Sequence, residues 1–121
     1  MSQKKILIVE DDVDFSGTLT MALEINDHTA VVAHNGLEAI DHVRKQVFDV
    51  CFLDIKMPEM TGIECLEVIK DILPPETTFI MMTGFRDEET LARAKEVGAE
   101  HILLKPFKMS EFVECAQRNS A

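Results

Sequence analysis

The sequence lacks any long hydrophobic run. In 121 residues, no apolar stretch approaches the roughly 20 residues that a membrane-spanning helix requires. The basic start of the chain, residues 1–5, leads into an apolar run of only four residues that ends in three acidic ones. This is not the pattern of a secretory signal peptide. We therefore expect a protein with no membrane association.

Basic residues are also scarce. Twelve lysines and arginines stand against 22 aspartates and glutamates, which gives a formal net charge of −10 at pH 7. Because phosphate-rich surfaces repel a negatively charged protein, this balance disfavours nucleic acid and anionic membrane as direct partners. The hydrophobic content of 46% is nevertheless that of an ordinary globular domain, and the length suits one domain, residues 1–121.

Few residues are suited to soft-metal or redox chemistry. They are Cys51, Cys65, Cys115, His28, His34, His42 and His101. The cysteines are odd in number and lie in apolar patterns, which favours buried free thiols of a cytoplasmic protein over a disulfide or metal site. The histidines show no ligand spacing, so we expect them at the surface or at the edges of elements.

Short apolar runs are present, and four of them end in residues that carry chemistry. The runs 6–9, 50–53, 79–82 and 102–104 are followed by Glu10-Asp11-Asp12, Asp54, Thr83-Gly84 and Lys105-Pro106, respectively. Unbroken runs of this length, rich in β-forming residues, are typical of strands buried on both faces. In an open parallel sheet, function gathers beyond the carboxyl ends of the strands. The sequence therefore predicts that acids, a hydroxyl and a cation meet at one edge.

Helical patterns separate the strands, so that the predicted order is strand then helix, five times over. The strands are expected at 5–9, 30–33, 50–54, 78–82 and 101–104, and the helices at 13–25, 37–46, 61–73, 87–97 and from Ser110 onward. The second helix should turn Leu37, Ile40 and Val43 inward, and a capping box at Thr61 should open the third. Such alternation predicts an α/β fold with helices on both faces of a parallel sheet.

The predicted edge can bind a phosphoryl group. Carboxylates crowded together raise each other's pKa unless positive charge intervenes, and Mg²⁺ or Lys105 can supply that charge. With the Thr83 hydroxyl, these groups suit phosphoryl oxygens, and one carboxylate can act as a nucleophile because aspartate forms aspartyl phosphates. Taken singly, each piece has a plainer interpretation: an acidic helix N-terminus, a turn, or a strand end at the surface.

Together these motifs resemble the receiver domains of bacterial two-component response regulators. The matching segments are ILIVEDD at 6–12, LDIKMPEMTG at 53–62, MTG at 82–84 and KPF at 105–107. The resemblance runs from about residue 5 to 118, and it implies a flavodoxin-like doubly wound sheet with strand order 2-1-3-4-5. It also implies a cytoplasmic signalling domain, not a turnover enzyme, that takes phosphate from a sensor histidine kinase or phosphotransfer protein.

The resemblance further implies a role for each site residue. Asp54 would be the phosphoacceptor, with Thr83 and Lys105 contacting the phosphoryl group. The implied Mg²⁺ ligands are the side chains of Asp11, Asp12 and Asp54 and the main-chain carbonyl of Lys56. A cis Lys105-Pro106 bond is implied too. Phosphorylation would then change the surface formed by the fourth helix, fifth strand and fifth helix, which an effector protein or domain would bind.

Three positions depart from the family pattern. Ile102 stands where an aromatic switch residue is common, and Lys56 and Phe85 stand two residues beyond the phosphoacceptor and the threonine, where an acid or amide is common. One alternative is a Mg²⁺-dependent phosphohydrolase on a related fold, although Lys56 occupies the place of its usual second acid. Another is a phosphate-independent interaction module, against which the intact Asp54, Thr83 and Lys105 argue. Whether the chain is a stand-alone regulator or a piece of a longer one stays open.

Overall fold

A computed structural model of the chain describes residues 3–118, in which five parallel strands alternate with five helices. The elements are β1 (Lys5–Val9), α1 (Val13–Ile25), β2 (Thr29–Ala33), α2 (Gly36–Lys45), β3 (Val50–Asp54), α3 (Gly62–Ile69), β4 (Thr78–Thr83), α4 (Glu88–Val97), β5 (His101–Leu104) and α5 (Met109–Arg118). The strand order is β2-β1-β3-β4-β5, and every neighbouring pair is parallel. This confirms the predicted flavodoxin-like fold.

The sheet lies between two apolar layers, because alternate side chains of each strand point to opposite faces. Leu7 and Leu53 belong to the layer covered by α2, α3 and α4, whereas Ile8 and Phe52 belong to the layer covered by α1 and α5. The three central strands are buried along almost their whole length. Burial on both faces explains why these strands are continuous apolar runs and not alternating ones.

Side-chain caps fix where four of the helices begin. Asp12, Asn35, Thr61 and Asp87 each accept a hydrogen bond from the main-chain N–H three residues further on. At α3 the predicted capping box is confirmed, since the Glu64 carboxylate also accepts the Thr61 N–H at 2.9 Å. Each cap satisfies an N–H group that would otherwise lack a partner in the first turn. All four lie at the edge where the strands end, so they also set the geometry there.

Two predicted helix bounds are wrong. α5 begins at Met109, so Ser110 lies inside its first turn and is not its cap; the Glu111 carboxylate instead accepts the Lys108 N–H at 2.9 Å. α3 ends at Ile69, well before the prolines that were expected to stop it. The chain continues from there in turns, in which the Ile72 N–H bonds the Ile69 carbonyl at 3.0 Å. The apolar spacing extends past the end of α3, because Leu73 is buried although it lies in the turns that follow the helix.

Burial confirms the cysteine prediction and corrects two others. Cys51, Cys65 and Cys115 are buried free thiols. Leu37 is 70% exposed, because α2 packs through the stripe of Gly36, Ile40 and Val43 and Leu37 points to the side of that stripe. His28 is only 5% exposed, because its Nδ1 accepts the Lys4 N–H at 3.1 Å where β1 and β2 start. Within residues 3–118, no helix is long and apolar enough to cross a membrane.

Candidate functional site

Three carboxylates meet at the carboxyl edge of the sheet. Val9 at the end of β1 pairs with Leu53 of β3, so the residues that follow them, Glu10 and Asp54, are neighbours. Carboxylate oxygens of Glu10, Asp11 and Asp54 all lie within 4.8 Å of one another. Glu10 and Asp54 are buried, whereas Asp11 is exposed. The strand ends thus concentrate negative charge in a partly closed place, as the sequence predicted for Asp11 and Asp54.

Lys105, which directly follows the edge strand β5, supplies positive charge to this cluster. Its backbone N–H donates to the Thr83 carbonyl at 2.8 Å, which continues the pairing of β4 with β5. Its ammonium nitrogen lies 3.1 Å from Asp54 Oδ2 and 3.3 Å from Glu10 Oε1. Burial lowers the pKa of Lys105, but the attraction of Asp54 and Glu10 outweighs it, so the pKa is raised. Lys105 therefore stays charged at neutral pH and bridges two acids.

A cavity of about 340 Å³ opens beside this ion pair. Its lining residues are Asp54, Lys56, Thr83, Gly84, Phe85 and Lys105. Thr83 is buried, and its hydroxyl oxygen accepts the Phe85 N–H at 2.9 Å, so the hydroxyl proton is the part of this group left to donate. The Lys56 N–H donates to Asp54 Oδ1 at 3.3 Å. The cavity thus presents a carboxylate, a hydroxyl and an ammonium to one small ligand.

Gly62 allows the end of β3 and the start of α3 to pack closely together. A Cβ atom at this position would overlap the main-chain carbonyl oxygen of Asp54. The Gly62 N–H donates to the Ile55 carbonyl at 2.9 Å, which fixes the return of the loop against β3. Only glycine allows this close approach of two backbones. The position of Asp54 therefore depends on a residue eight places further along the chain.

Asp12 lies outside the carboxylate cluster. Its carboxylate accepts the Phe15 N–H at 3.0 Å as the cap of α1, and its own N–H donates to Glu10 Oε2 at 3.1 Å. Glu10, which the sequence placed only nearby, takes the position beside Asp11 and Asp54. Their positions in the sequence distinguish the two acids, because Glu10 directly follows β1, whereas Asp12 directly precedes a helix, where an aspartate is a preferred cap.

The cluster suits a hard divalent cation. Burial raises the pKa of Glu10 to about 7, helped by the charge of Asp54 and opposed by the Asp12 N–H and by Lys105. One lysine thus leaves the negative charge of three acids incompletely balanced. Closely spaced carboxylate oxygens with excess negative charge are the donors that Mg²⁺ prefers. The residues present therefore fit the metal that the sequence implied.

Glu10 should make stability depend on pH. A raised pKa means that the folded state holds the proton more tightly than the unfolded state does. This contribution is fully present below the ordinary pKa of 4.5 and is lost as the pH rises through about 7. In metal-free buffer, Glu10→Gln should therefore gain up to about 3 kcal/mol over wild type between pH 5 and pH 8.

Urea unfolding of both proteins across this pH range measures the difference. The control is the same change at an exposed position, Glu96→Gln, whose stability relative to wild type should not vary with pH in this way. A Glu10→Gln difference that is the same at pH 5 and pH 8 would show that Glu10 titrates normally in the folded protein.

Comparison with known proteins identifies the family. The sequence model described as "Response regulator receiver domain" matches residues 6–117. This chain belongs to the response regulator receiver domain family. The transcriptional regulatory protein ZraR of Klebsiella oxytoca is 38% identical over 104 residues, which are 86% of this chain and 23% of that protein. The sporulation initiation phosphotransferase F of Bacillus subtilis is 32% identical over 118 residues, 98% of this chain and 94% of that protein.

Solved structures agree with the receiver fold. A CheY-like receiver domain protein from Methanospirillum hungatei has a TM-score of 0.91 at 28% identity, covering 97% of this chain and 93% of that one. The receiver domain spans 23% to 51% of the length of the transcriptional regulators ZraR and CrdR that it resembles. These relatives therefore carry further sequence beyond the part that corresponds to this chain.

The departures from the family pattern have defined places in this receiver domain. Lys56 and Phe85 both line the cavity beside Asp54, and the Lys56 ammonium lies 5.9 Å from the centre of the Phe85 ring. This distance is within the range of a cation–π contact. Ile102 is half-buried and packs against the apolar layer on the side of α2, α3 and α4. The first two departures thus concern the cavity beside Asp54, and the third concerns the face of the sheet opposite α1 and α5.

Proposed function

We propose that this receiver domain takes a phosphoryl group onto Asp54 from the phosphohistidine of a histidine kinase or phosphotransfer protein. The observation that carries the proposal is the bridge that Lys105 makes between Glu10 and Asp54 at the mouth of the cavity lined by Thr83. Asp54 is buried in the fold but lines this cavity, next to a donor set for phosphoryl oxygens. An ion pair that only stabilised the fold would not need a cavity beside it.

The proposed reaction is a transfer between two protein side chains. An Asp54 carboxylate oxygen attacks the phosphorus, a P–O bond forms, and the P–N bond to the histidine breaks. The leaving imidazole keeps the electron pair of that bond. Lys105 and the Thr83 hydroxyl can donate hydrogen bonds to the phosphoryl oxygens, whose negative charge is otherwise costly to bring to an acidic site. Lys105 must then leave Asp54 Oδ2, which has become part of the acyl phosphate or lies beside it.

The metal residues in this proposal differ in one position from those that the resemblance implies. Glu10, Asp11 and Asp54 would hold Mg²⁺ with the Lys56 carbonyl, while Asp12 caps α1. When bound, Mg²⁺ neutralises charge on phosphoryl oxygens. The protein contributes a preformed set of oxygen donors, held by the ends of β1 and β3, so that no acid has to move far to meet the metal.

The proposed output surface is the face formed by α4, β5 and α5. A cavity of about 370 Å³ between α4 and β5 is lined by Leu91, Lys95, Glu100, His101, Ile102 and Leu104. Thr83 lies at the end of β4, which pairs with β5, so a pull on Thr83 by a phosphoryl group reaches this face directly. Phosphorylation would bias a two-state equilibrium of this surface and thereby the binding of a downstream effector.

Phosphorylation by a small donor tests the proposal. We expect the wild-type protein to gain the mass of one phosphoryl group from acetyl phosphate when Mg²⁺ is present, and to gain little when the metal is removed with a chelator. Intact-protein mass spectrometry makes the measurement, and a denatured sample serves as the control for non-specific acylation. A folded protein that stays unmodified with Mg²⁺, or that is modified equally without it, would contradict the proposed function.

Lys105→Ala should separate phosphorylation from its consequence. Without the ammonium, Mg²⁺ and Thr83 can still contact the phosphoryl group, so phosphorylation of Asp54 should be slower but should still occur. The link from the phosphoryl group to β5 is lost, so the amide spectra of α4, β5 and α5 should change much less than in wild type. Some loss of stability is also expected, because Glu10 and Asp54 then repel each other without a cation. Spectral changes equal to those of wild type would show that Lys105 has no coupling role.

A further inference from the structure

The ammonium of Lys105 has three neighbours, and one of them is an aromatic ring. Two of its three protons can go to Asp54 and Glu10, at 3.1 and 3.3 Å. On its remaining side, the centre of the Phe15 ring lies 4.9 Å from the nitrogen. A cation this close to the face of a ring is attracted by the ring's negative π surface. Lys105 is therefore held on one side by charge and on another by a group that carries none.

The ring is fixed relative to the same acids. Phe15 lies in the first turn of α1, where its N–H is bonded by Asp12, and the N–H of Asp12 is bonded by Glu10. Its ring also contacts the ring of Phe107, with centroids 5.9 Å apart. Glu10 thus orients both the lysine and, through the cap of α1, the ring above it. This arrangement gives Asp12 a role at the site without any contact with the metal or the phosphate.

Phe15 is less buried than the two leucines of α1 that pack into the same apolar layer. The residues of α1 that pack into the sheet, Leu19 and Leu23, are completely buried and aliphatic. Phe15 is half-buried and stands at the edge of that layer, where it covers a lysine whose side chain is 29% exposed. Its ring therefore shields the ammonium from water on one side.

We propose that Phe15 is a positioning residue for Lys105 in phosphoryl transfer; this rests on the proposed function. Lysine has a long, flexible side chain, and Lys105 must move its hydrogen bond from Asp54 to a phosphoryl oxygen during the reaction. A third carboxylate at this place would compete with the phosphoryl group for the ammonium. A ring attracts the cation without accepting a strong hydrogen bond, so it keeps Lys105 near the site and leaves it free to exchange partners.

Substitutions at Phe15 that keep or remove the ring test this role. Phosphorylation of the full chain by acetyl phosphate with Mg²⁺ would be followed over a range of donor concentrations. With the π surface removed, Phe15→Leu should lower the rate at saturating donor by about three- to tenfold, with the half-saturating concentration unchanged. Phe15→Tyr, which keeps the ring, should stay within about twofold of wild type. Phe15→Met provides a second non-aromatic side chain of similar length, should the leucine variant fold poorly.

A core control separates positioning from general loosening of this layer. Phe112 packs on Phe107 and Phe52, whereas the ring under the Lys105 ammonium is that of Phe15, so Phe112→Leu should lower the urea midpoint more than the transfer rate. The inference is overturned if Phe15→Leu and Phe15→Met react as fast as wild type, or if Phe15→Tyr is slowed as much as they are. If wild type itself takes up no phosphoryl group, the proposed function fails together with this inference.

Discussion

The Asp54→Asn protein is expected to gain no phosphoryl group under conditions that phosphorylate wild type. The amide keeps the shape of the side chain and can still accept the Lys56 N–H, but its oxygen is a far poorer nucleophile than a carboxylate. The variant also leaves Glu10 as the remaining partner of Lys105, so the ion pair at the site is retained in part. The expected result is a complete loss of modification in a protein that remains folded.

Asp71→Asn is the matched control, because this aspartate is exposed and lies outside the site. It should be phosphorylated as fast as wild type. Intact mass reports modification, and circular dichroism with a urea titration reports the fold. Modification of Asp54→Asn to the same extent as wild type would mean that another residue accepts the phosphoryl group.

The second large effect concerns the lifetime of the phosphorylated form, which we expect to be long. Hydrolysis requires a water molecule aligned behind the phosphorus, and holding a nucleophile in place supplies a large part of a rate enhancement. Lys56 and Phe85 line the cavity where such a water would sit. An ammonium only donates hydrogen bonds, and a phenyl ring has no hydrogen-bonding group, so neither side chain can accept a proton from that water. The contact between them, at 5.9 Å, would keep both over the cavity.

Variants that introduce acceptors measure this effect. Phosphorylated protein would be freed of donor, and the loss of phosphate followed in wild type, Lys56→Asn, Phe85→Glu and the double variant. Each single change should speed hydrolysis, by less than the roughly 10²- to 10⁴-fold that a positioned general acid or base contributes, and the double variant should be the fastest. Equal decay in all four proteins would show that these positions do not control the water.

Most of the fold could be predicted from the sequence, because the patterns for strands, helices and helix caps agreed with one another. Buried parallel strands leave continuous apolar runs, and the helices between them carry their own caps. The failures fall where tertiary contacts override a local pattern. Leu37 has the right type for the core but lies off the stripe through which α2 packs. His28 is buried because a backbone N–H at the start of β1 needs an acceptor.

Most residues of the site could be predicted from the sequence, but not all of their contacts. Asp54 and Thr83 end β3 and β4, and Lys105 directly follows β5, so their convergence at one edge depends only on the sheet. The choice between Glu10 and Asp12 depends on the register of a few residues between β1 and α1, where one acid points to the cluster and another caps the helix. Nothing in the sequence indicated the contact of Phe15 with Lys105, because that contact joins α1 to the residue that follows β5.

Locating the phosphoryl group on the chain shows directly whether Asp54 is the phosphoacceptor. Borohydride reduces an aspartyl phosphate and leaves other carboxylates unchanged, so the reduced residue marks the position after proteolysis and peptide mass spectrometry. In wild-type protein phosphorylated with Mg²⁺, we expect a single reduced position, Asp54. Reduction at Asp11 or Asp12 instead, or a phosphoryl group found on a histidine or hydroxyl side chain with Asp54 unmodified, would contradict it.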